Sequence, residues 1–262
     1  MHMIDIHSHI LPFMDDGAAD WEAALAMAKD AHADGITTVI ATPHHANGQY
    51  MNSGPGIRQA VELMNERLHQ NNIPLQVLPG QEIRVYGDLL YDLEQGELLS
   101  LAGSRYMLLE MPSSRIPRNM AEVCHELVIQ GFVPVIAHPE RNAEVASDPS
   151  RLESLMELGV LGQVTAQSLA GAFGSKLQKL SLELCRRNLV HVIASDAHDC
   201  AHRPFGLSEA HAFLDKELGA EANDYFRRNA QHIVANSAII PGDYTRVHTK
   251  RHKIFGFFSR KG

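Results

Sequence analysis

A chain of 262 residues, 45% hydrophobic and 21% charged, has the length and composition of a globular α/β protein with a full core. A formal net charge of −8 argues against a general nucleic-acid binder, and three scattered cysteines, Cys124, Cys185 and Cys200, argue against a disulfide framework. No run approaches a membrane span and no basic region precedes an apolar one at the N-terminus, so the cytoplasm is the expected location.

The first element is Ile4-Asp5-Ile6-His7-Ser8-His9-Ile10-Leu11-Pro12, followed by Asp15-Asp16-Gly17. Its apolar–polar alternation reads as a strand that turns His7 and His9 to one side. Two such imidazoles either hold one metal ion together or are strand histidines satisfied by ordinary hydrogen bonds. Residues 18–34 read as an amphipathic helix with Trp21, Ala24, Leu25 and Ala28 on one stripe and Gly35 as a stop. Residues 37–42 form a β-branched strand ending in Pro43-His44-His45, and a helix over 57–70 carries Ile57, Val61, Met64 and Leu68 on one face. Strands over 75–83 and 106–110 end in Glu82 and Glu110. After a helix near 119–130, the strand 133–137 ends in His138-Pro139-Glu140-Arg141. Helices near 149–158 and 175–188 precede strands at 160–165 and 190–195, the latter ending in Asp196-Ala197-His198. Two helices, near 207–218 and 222–235, close the domain.

Near-continuous apolar strands alternating with helices predict a parallel sheet covered by helices. Chemically capable side chains end at least six different strands, and a closed or distorted barrel gathers those ends around one mouth. An open doubly wound sheet would use two or three loops at a switch point, and no Gly-x-Gly-x-x-Gly follows the first strand. The expectation is a single α/β domain over 1–245, with a tail over 246–262.

Nine residues make up the candidate site: His7, His9, Asp16, His44, Glu82, Glu110, His138, Asp196 and His198. Imidazole and carboxylate together suit zinc, manganese or iron, and nine donors are too many for one ion. Singly, each has an ordinary explanation as a cap partner, a surface carboxylate or a loop histidine. Together, at the ends of apolar strands, they would cost several kcal/mol to bury unless paired or metal-bound, an order-of-magnitude expectation of roughly that size. No cysteine is followed six positions later by arginine, since those places hold Gln130, His191 and Gly206, so a cysteine-nucleophile phosphatase loop has nowhere to sit.

The opening His-x-His, the isolated His44, the two glutamates, His-Pro-Glu-Arg and Asp-x-His resemble the polymerase and histidinol phosphatase (PHP) superfamily. The wording of residues 4–17, with Ala41-Thr42-Pro43-His44-His45, Gly80-Gln81-Glu82-Ile83-Arg84 and His138-Pro139-Glu140-Arg141, resembles its capsule-type (CpsB-like) protein-tyrosine phosphatases over about residues 4–240. The resemblance implies a distorted (β/α)7 TIM-like barrel, the PHP fold, with a three-metal site at the C-terminal ends of the strands. Manganese is the expected ion, with iron or zinc as alternatives. By matching motifs, His7, His9, Glu82 and Asp196 would hold the first ion. Glu82 would bridge to a second, shared with Glu110 and His138, and Asp16, His44 and His198 would hold the third. Superfamily members often carry histidine in place of Asp16 and Glu110; the carboxylates here agree with the capsule-type branch.

The implied chemistry is hydrolysis of phosphotyrosine by a metal-bridging hydroxide, without a covalent enzyme intermediate. Arg141 could fork onto a phosphate oxygen or form a salt bridge with Glu140 or another carboxylate. Arg84 is a second candidate for substrate contact, and His198 or a metal-bound water a candidate proton donor to the leaving group. The implied partner is a bacterial tyrosine kinase of polysaccharide synthesis with a tyrosine-rich C-terminal tail. The rival readings are a small-molecule phosphatase of the histidinol-phosphatase type and a PHP-type nuclease, the latter disfavoured by the net charge. The tail carries Arg246, Lys250, Arg251, Lys253, Arg260 and Lys261 interleaved with Phe255, Phe257 and Phe258, and reads either as a solvated extension or as a patch touching an anionic membrane or a partner.

Overall fold

A computed structural model describes residues 3–242, so the boundary expected at 245 and the basic–aromatic tail lie outside the described residues. In chain order the elements are β1 (Met3–Ser8), α1 (Trp21–Ala33), β2 (Ile36–Ala41), β3 (His44–His45), α2 (Gly54–Gln70), β4 (Gln76–Pro79), β5 (Glu82–Arg84), α3 (Leu89–Glu94) and β6 (Tyr106–Glu110). They continue with α4 (Met120–Ile129), β7 (Val133–Ala137), α5 (Ala143–Ser147), α6 (Glu153–Met156), β8 (Leu161–Thr165), α7 (Ala166–Ala170), α8 (Ser175–Arg186), β9 (Val192–Ala194), α9 (Leu207–Leu218) and α10 (Ala220–Val234).

All strand pairs are parallel, in two sheets ordered β1-β2-β4 and β3-β5-β6-β7-β8-β9. The sheets are one ring broken at two bends. Two residues separate β2 from β3 and two separate β4 from β5, so each pair is a single bent strand. Glu82 N donates to Pro43 O at 3.2 Å across the bend. The ring closes where Ser8 bridges Ala197, with His9 N on Ala197 O and Asp196 N on His7 O, both at 2.8 Å. Seven strands in sequence order, helices outside, make a distorted parallel barrel, as expected.

Inside the ring Ile6, Ile40, Tyr106, Leu108, Val135, Leu161 and Val192 pack with Ala230 and Ile233 of α10, which plugs the floor. The Tyr106 hydroxyl donates to Ser237 O at 2.6 Å and accepts from Ile239 N at 3.1 Å, so the chain after α10 seals that end. A larger apolar layer, including Met27, Ile57, Met64, Leu127, Leu184 and Leu214, fills the space between strands and outer helices.

Two sequence expectations change. The buried stripe of α1 is Ala24, Met27, Ala28 and Ala31, whereas Trp21 and Leu25 are only partly covered, with the Arg67 guanidinium 5.2 Å from the Trp21 ring. Small residues let α1 lie close to the sheet, which pushes the indole to the edge. The helix expected near 149–158 is helical over 149–156, but its first turn, Pro149–Leu152, is 3-10 and only α6 is α-helical, with the separate short α5 before it. Pro149 stands at the first helical position, where its missing N–H has no partner to lose. The stripe Ile57, Val61, Met64 and Leu68 of α2 is buried as read.

Candidate metal centre

The nine candidate residues converge at the C-terminal mouth of the ring. His7 sits near the end of β1, His44 opens β3, Glu82 opens β5 and Glu110 ends β6. His138 and Asp196 directly follow β7 and the short run after β9. Pairing between β1 and β2 slips between Asp5 and Ser8, a bulge that lets Ile6 join the interior cluster while His7 reaches the mouth. His138 and Asp196 have φ of 33° and 54°, left-handed values that cost a non-glycine residue about 1–2 kcal/mol and turn each side chain back over the barrel. Gly17 permits the 10–17 loop to fold onto His9, where a Cβ would lie 2.1 Å from His9 O.

Four donor atoms form a cage. His7 Nε2 and His9 Nε2 are 3.2 Å apart, stand 3.3 and 3.2 Å from Asp196 Oδ1, and are each 3.5 Å from Glu82 Oε2. Ligands bound at about 2.0–2.2 Å to one ion stand roughly 3–3.5 Å from each other, so this spacing matches a coordination shell. Around it, His138 Nε2 lies 2.8 Å from Glu82 Oε1, and His44 Nδ1 lies 2.7 Å from Glu82 Oε2 and 3.8 Å from Glu110 Oε2. Asp16 Oδ1 stands 3.5 Å from His44 Nε2 and 3.6 Å from His198 Nε2. Donor atoms of His9, Asp16, His44 and His198 lie within 4.8 Å of one another, as do those of His7, His9 and Glu82, and of His44, Glu82 and Glu110.

Outer partners fix which nitrogen faces inward. His7 Nδ1 pairs with Gln163 Oε1 at 2.9 Å, His9 Nδ1 with Asp15 Oδ2 at 2.6 Å, and His198 Nδ1 with Asp196 O at 2.9 Å. With the proton on Nδ1 in each, the Nε2 lone pair points into the mouth, the arrangement of metal-binding histidines. His44 Nδ1, Glu82 Oε2 and His198 Nε2 are buried without a hydrogen bond of proper geometry. Such orphans, among the same donors that cluster at the mouth, fit bound cations.

Electrostatics point the same way. Burial opposes charge on His7, yet Glu82 and Asp196 hold it above its usual value; Asp15 does so for His9 and Glu82 for His44. His138 goes the other way, pushed down to about 4 by burial and Arg141. Burial and neighbouring Glu82 push Glu110 up to about 7. Burial also raises Glu82 and Asp196, but His44 and His7 overcome it for Glu82, and Arg141 and His7 for Asp196, leaving both well below the carboxylate range.

Beside the cage is a cleft of about 280 Å³ whose wall includes Arg84, Arg141, Arg203, Ser113 and Ser114. Arg141 does not pair with Glu140; its Nη2 donates to Asp196 Oδ2, and Arg203 Nη2 reaches the same oxygen at 2.5 Å. Glu140 instead accepts from Thr165 N at 3.0 Å and Ser168 Oγ at 2.9 Å, stapling the His138–Arg141 turn to β8 and α7. Arg84 Nε donates to Glu110 Oε2 at 2.9 Å. Arg203, Gln163 and Asp15 were not singled out from the sequence. A lone glutamine in an apolar strand and the first aspartate of Asp15-Asp16 were the available signals; Arg203 gave none. Cys124, its thiol pushed up to about 12 by burial, is no nucleophile.

Residues 3–235 match the family model described as capsular polysaccharide synthesis, CpsB/CapC. The chain belongs to this family. Within the CpsB/CapC family it is similar to tyrosine-protein phosphatase YwqE of Bacillus subtilis, 47% identical over 256 residues that cover 98% of this chain and 100% of that protein. Tyrosine-protein phosphatase CpsB of Streptococcus pneumoniae is 30% identical over 243 residues, 90% of this chain and 100% of its own. A solved structure of this group, described as YwqE from B. subtilis and CpsB from S. pneumoniae, metal-dependent tyrosine phosphatases, superposes with a TM-score of 0.89 at 47% identity, covering 91% of this chain and 97% of that one. A lactonase from Listeria monocytogenes, 9% identical, superposes with a TM-score of 0.51 over 90% of this chain and 92% of its own, a likeness of fold alone.

Proposed function

We propose that this chain is a metal-dependent protein-tyrosine phosphatase, and the observation that carries the reading is the four-atom cage of His7, His9, Glu82 and Asp196 beside an arginine-lined cleft. In this reading those four residues hold a first ion, and Glu82 is shared with a second held by Glu110 and His138. Asp16, His44 and His198 hold a third. Hard oxygen donors at Asp16 and Glu110 favour manganese over zinc, with iron next. Bound ions of this kind supply an activated water and neutralise phosphate charge.

The chain's own groups do the rest. Arg141 and Arg203, side by side on Asp196, present guanidinium forks to phosphate oxygens entering the cleft, and Arg84, held by Glu110, lines the same cleft. His198 has Nδ1 on Asp196 O and Nε2 aimed at Asp16, which supports a ligand role over proton donation to the leaving group. Names of the family's relatives support protein phosphotyrosine as substrate and a role in polysaccharide synthesis, and the proposed partner is a bacterial tyrosine kinase of that synthesis. Among the described residues no helix is long and apolar enough to cross a membrane.

Metal content on protein purified without chelator, paired with manganese-stimulated hydrolysis of p-nitrophenyl phosphate and a phosphotyrosine peptide, tests the reading. The expected result is two to three ions per chain and turnover of both substrates. Metal without peptide turnover would transfer the assignment to a small-molecule phosphatase; no metal and no turnover would overturn it.

A further inference from the structure

The catalytic cleft does not end at the arginines. Pro112 lines both the cleft and a neighbouring depression of about 430 Å³, which shares Arg115, Pro117 and Arg118 with a third of about 540 Å³ that also includes Arg151 and Glu144. The three lie in series along the segment that follows Glu110, the last residue of β6.

That segment is held in shape. Pro112 O accepts from Asn142 Nδ2 at 2.8 Å, Ser113 O from Ala143 N at 2.7 Å, and the Glu144 carboxylate from Ile116 N at 2.9 Å. All three anchors lie immediately after Arg141, so the groove and the cleft share one support. Glu144 also pairs with Arg151 at 3.1 Å, which neutralises both. Arg115 and Arg118 differ: both are exposed, and among the described residues neither guanidinium pairs with a carboxylate. Their charge runs against the rest of the chain. Setting aside the six cations of residues 246–262, the remaining 17 Lys and Arg face 31 Asp and Glu. Unpaired cations flanking the cleft of an otherwise acidic protein attract an anionic segment and repel nothing on it.

We infer that the Arg115–Arg118 groove docks an acidic stretch of polypeptide next to the phosphotyrosine, so that the enzyme prefers phosphotyrosines flanked by Asp and Glu. The inference rests on the phosphatase reading above and names the substrate class of that site. Carboxylates are the fitting partners because guanidinium forks take them two bonds at a time, whereas a neutral segment leaves both cations with water alone.

The test uses the full-length protein and peptides carrying a non-hydrolysable phosphonate in place of phosphotyrosine, flanked either by glutamates or by serines. Wild type is expected to bind the glutamate peptide at least about threefold more tightly, the modest scale of exposed charge pairs. The double variant Arg115→Glu/Arg118→Glu should invert that ratio, and Arg115→Lys/Arg118→Lys should keep most of it. Raising salt from about 50 to about 300 mM should shrink the wild-type ratio. Because the readout is a ratio within one protein, a general loss of folding or metal cannot imitate it. Equal affinities in wild type, or an unchanged ratio in the glutamate variant, overturn the groove. Hydrolysis of matched phosphotyrosine peptides is measured beside binding: selective binding without hydrolysis sinks the phosphatase reading and leaves the groove standing.

Discussion

The two ends of the same seven strands do opposite work. At the floor, Ile6, Ile40, Tyr106, Val135 and Val192 meet the plug of α10. A few residues later, on the same strands or just past them, stand His7, His44, Glu110, His138 and Asp196. The floor is an apolar cluster in which even the Tyr106 hydroxyl is bonded twice. The mouth keeps orphaned donors and like charges that only a ligand relieves. The barrel therefore separates stability from chemistry along the strand axis, and the apolar end supports the strain of the polar one.

The comparison breaks first at Glu82, which touches His7, His9, His44 and His138. Glu82→Ala is expected to remove metal and lower phosphatase activity by more than about 100-fold, beyond the loss from an outer partner, while the fold survives. Metal analysis with circular dichroism checks it; normal metal content and turnover would remove Glu82 from the site. At the other end, Ile233→Ala should cost about 2–5 kcal/mol of stability by opening a cavity in the floor, with metal content per folded chain unchanged. Thermal or urea unfolding beside metal analysis reads both; metal loss from the folded variant would deny the separation of the two ends.

Asp15→Asn sharpens the comparison within the mouth. It keeps the side chain's volume but removes its charge and leaves one accepting oxygen where two now serve Gly17 N on one side and His44 N with His9 Nδ1 on the other, so metal affinity should fall about 10–100-fold with a loss of about 1–3 kcal/mol in unfolding. Titration with manganese against a chelator measures it. The smallest expected effect belongs to the buried histidines away from the mouth. His191 accepts from Gly162 N at 3.1 Å and His211 pairs with Asn223 Oδ1 at 2.6 Å; burial pushes both down to about 4. The folded state binds fewer protons than the unfolded one between pH 6.5 and about 4, so their contribution is present above pH 6.5 and is lost as pH falls through that window. Asp5, raised to about 6 by burial, works in the opposite sense. His211→Gln should therefore flatten the acid side of the stability curve by about 1 kcal/mol at pH 5.5 relative to wild type. Parallel urea titrations at pH 5.5 and 7.5 would show it, and identical slopes would mean His211 titrates alike in both states.

Strands were legible because apolar runs of four to six residues between helices have one compatible environment, the inside of a covered parallel sheet. The helix near 149–158 was legible as helical, but periodicity does not tell a 3-10 first turn from an α one. Most of the mouth was legible because histidines and carboxylates ending buried strands are too costly to be accidental. Gln163, Asp15 and Arg203 were not, since a glutamine, an aspartate or an arginine gains meaning only from what lies across the barrel from it.

The sequence by itself determined the order of strands and helices, the site residue at the end of all but one strand, and the absence of a usable cysteine loop. Those are properties of neighbours in the chain, set by side-chain type and period. Only the tertiary structure decided that the ring closes from Ser8 to Ala197, that left-handed turns at His138 and Asp196 aim both side chains inward, and that Arg141 rests on Asp196 and not Glu140. The physical reason is distance along the chain. Asp196 meets His7 across the closing seam, and electrostatic fields at a mouth sum over groups that no local pattern places together.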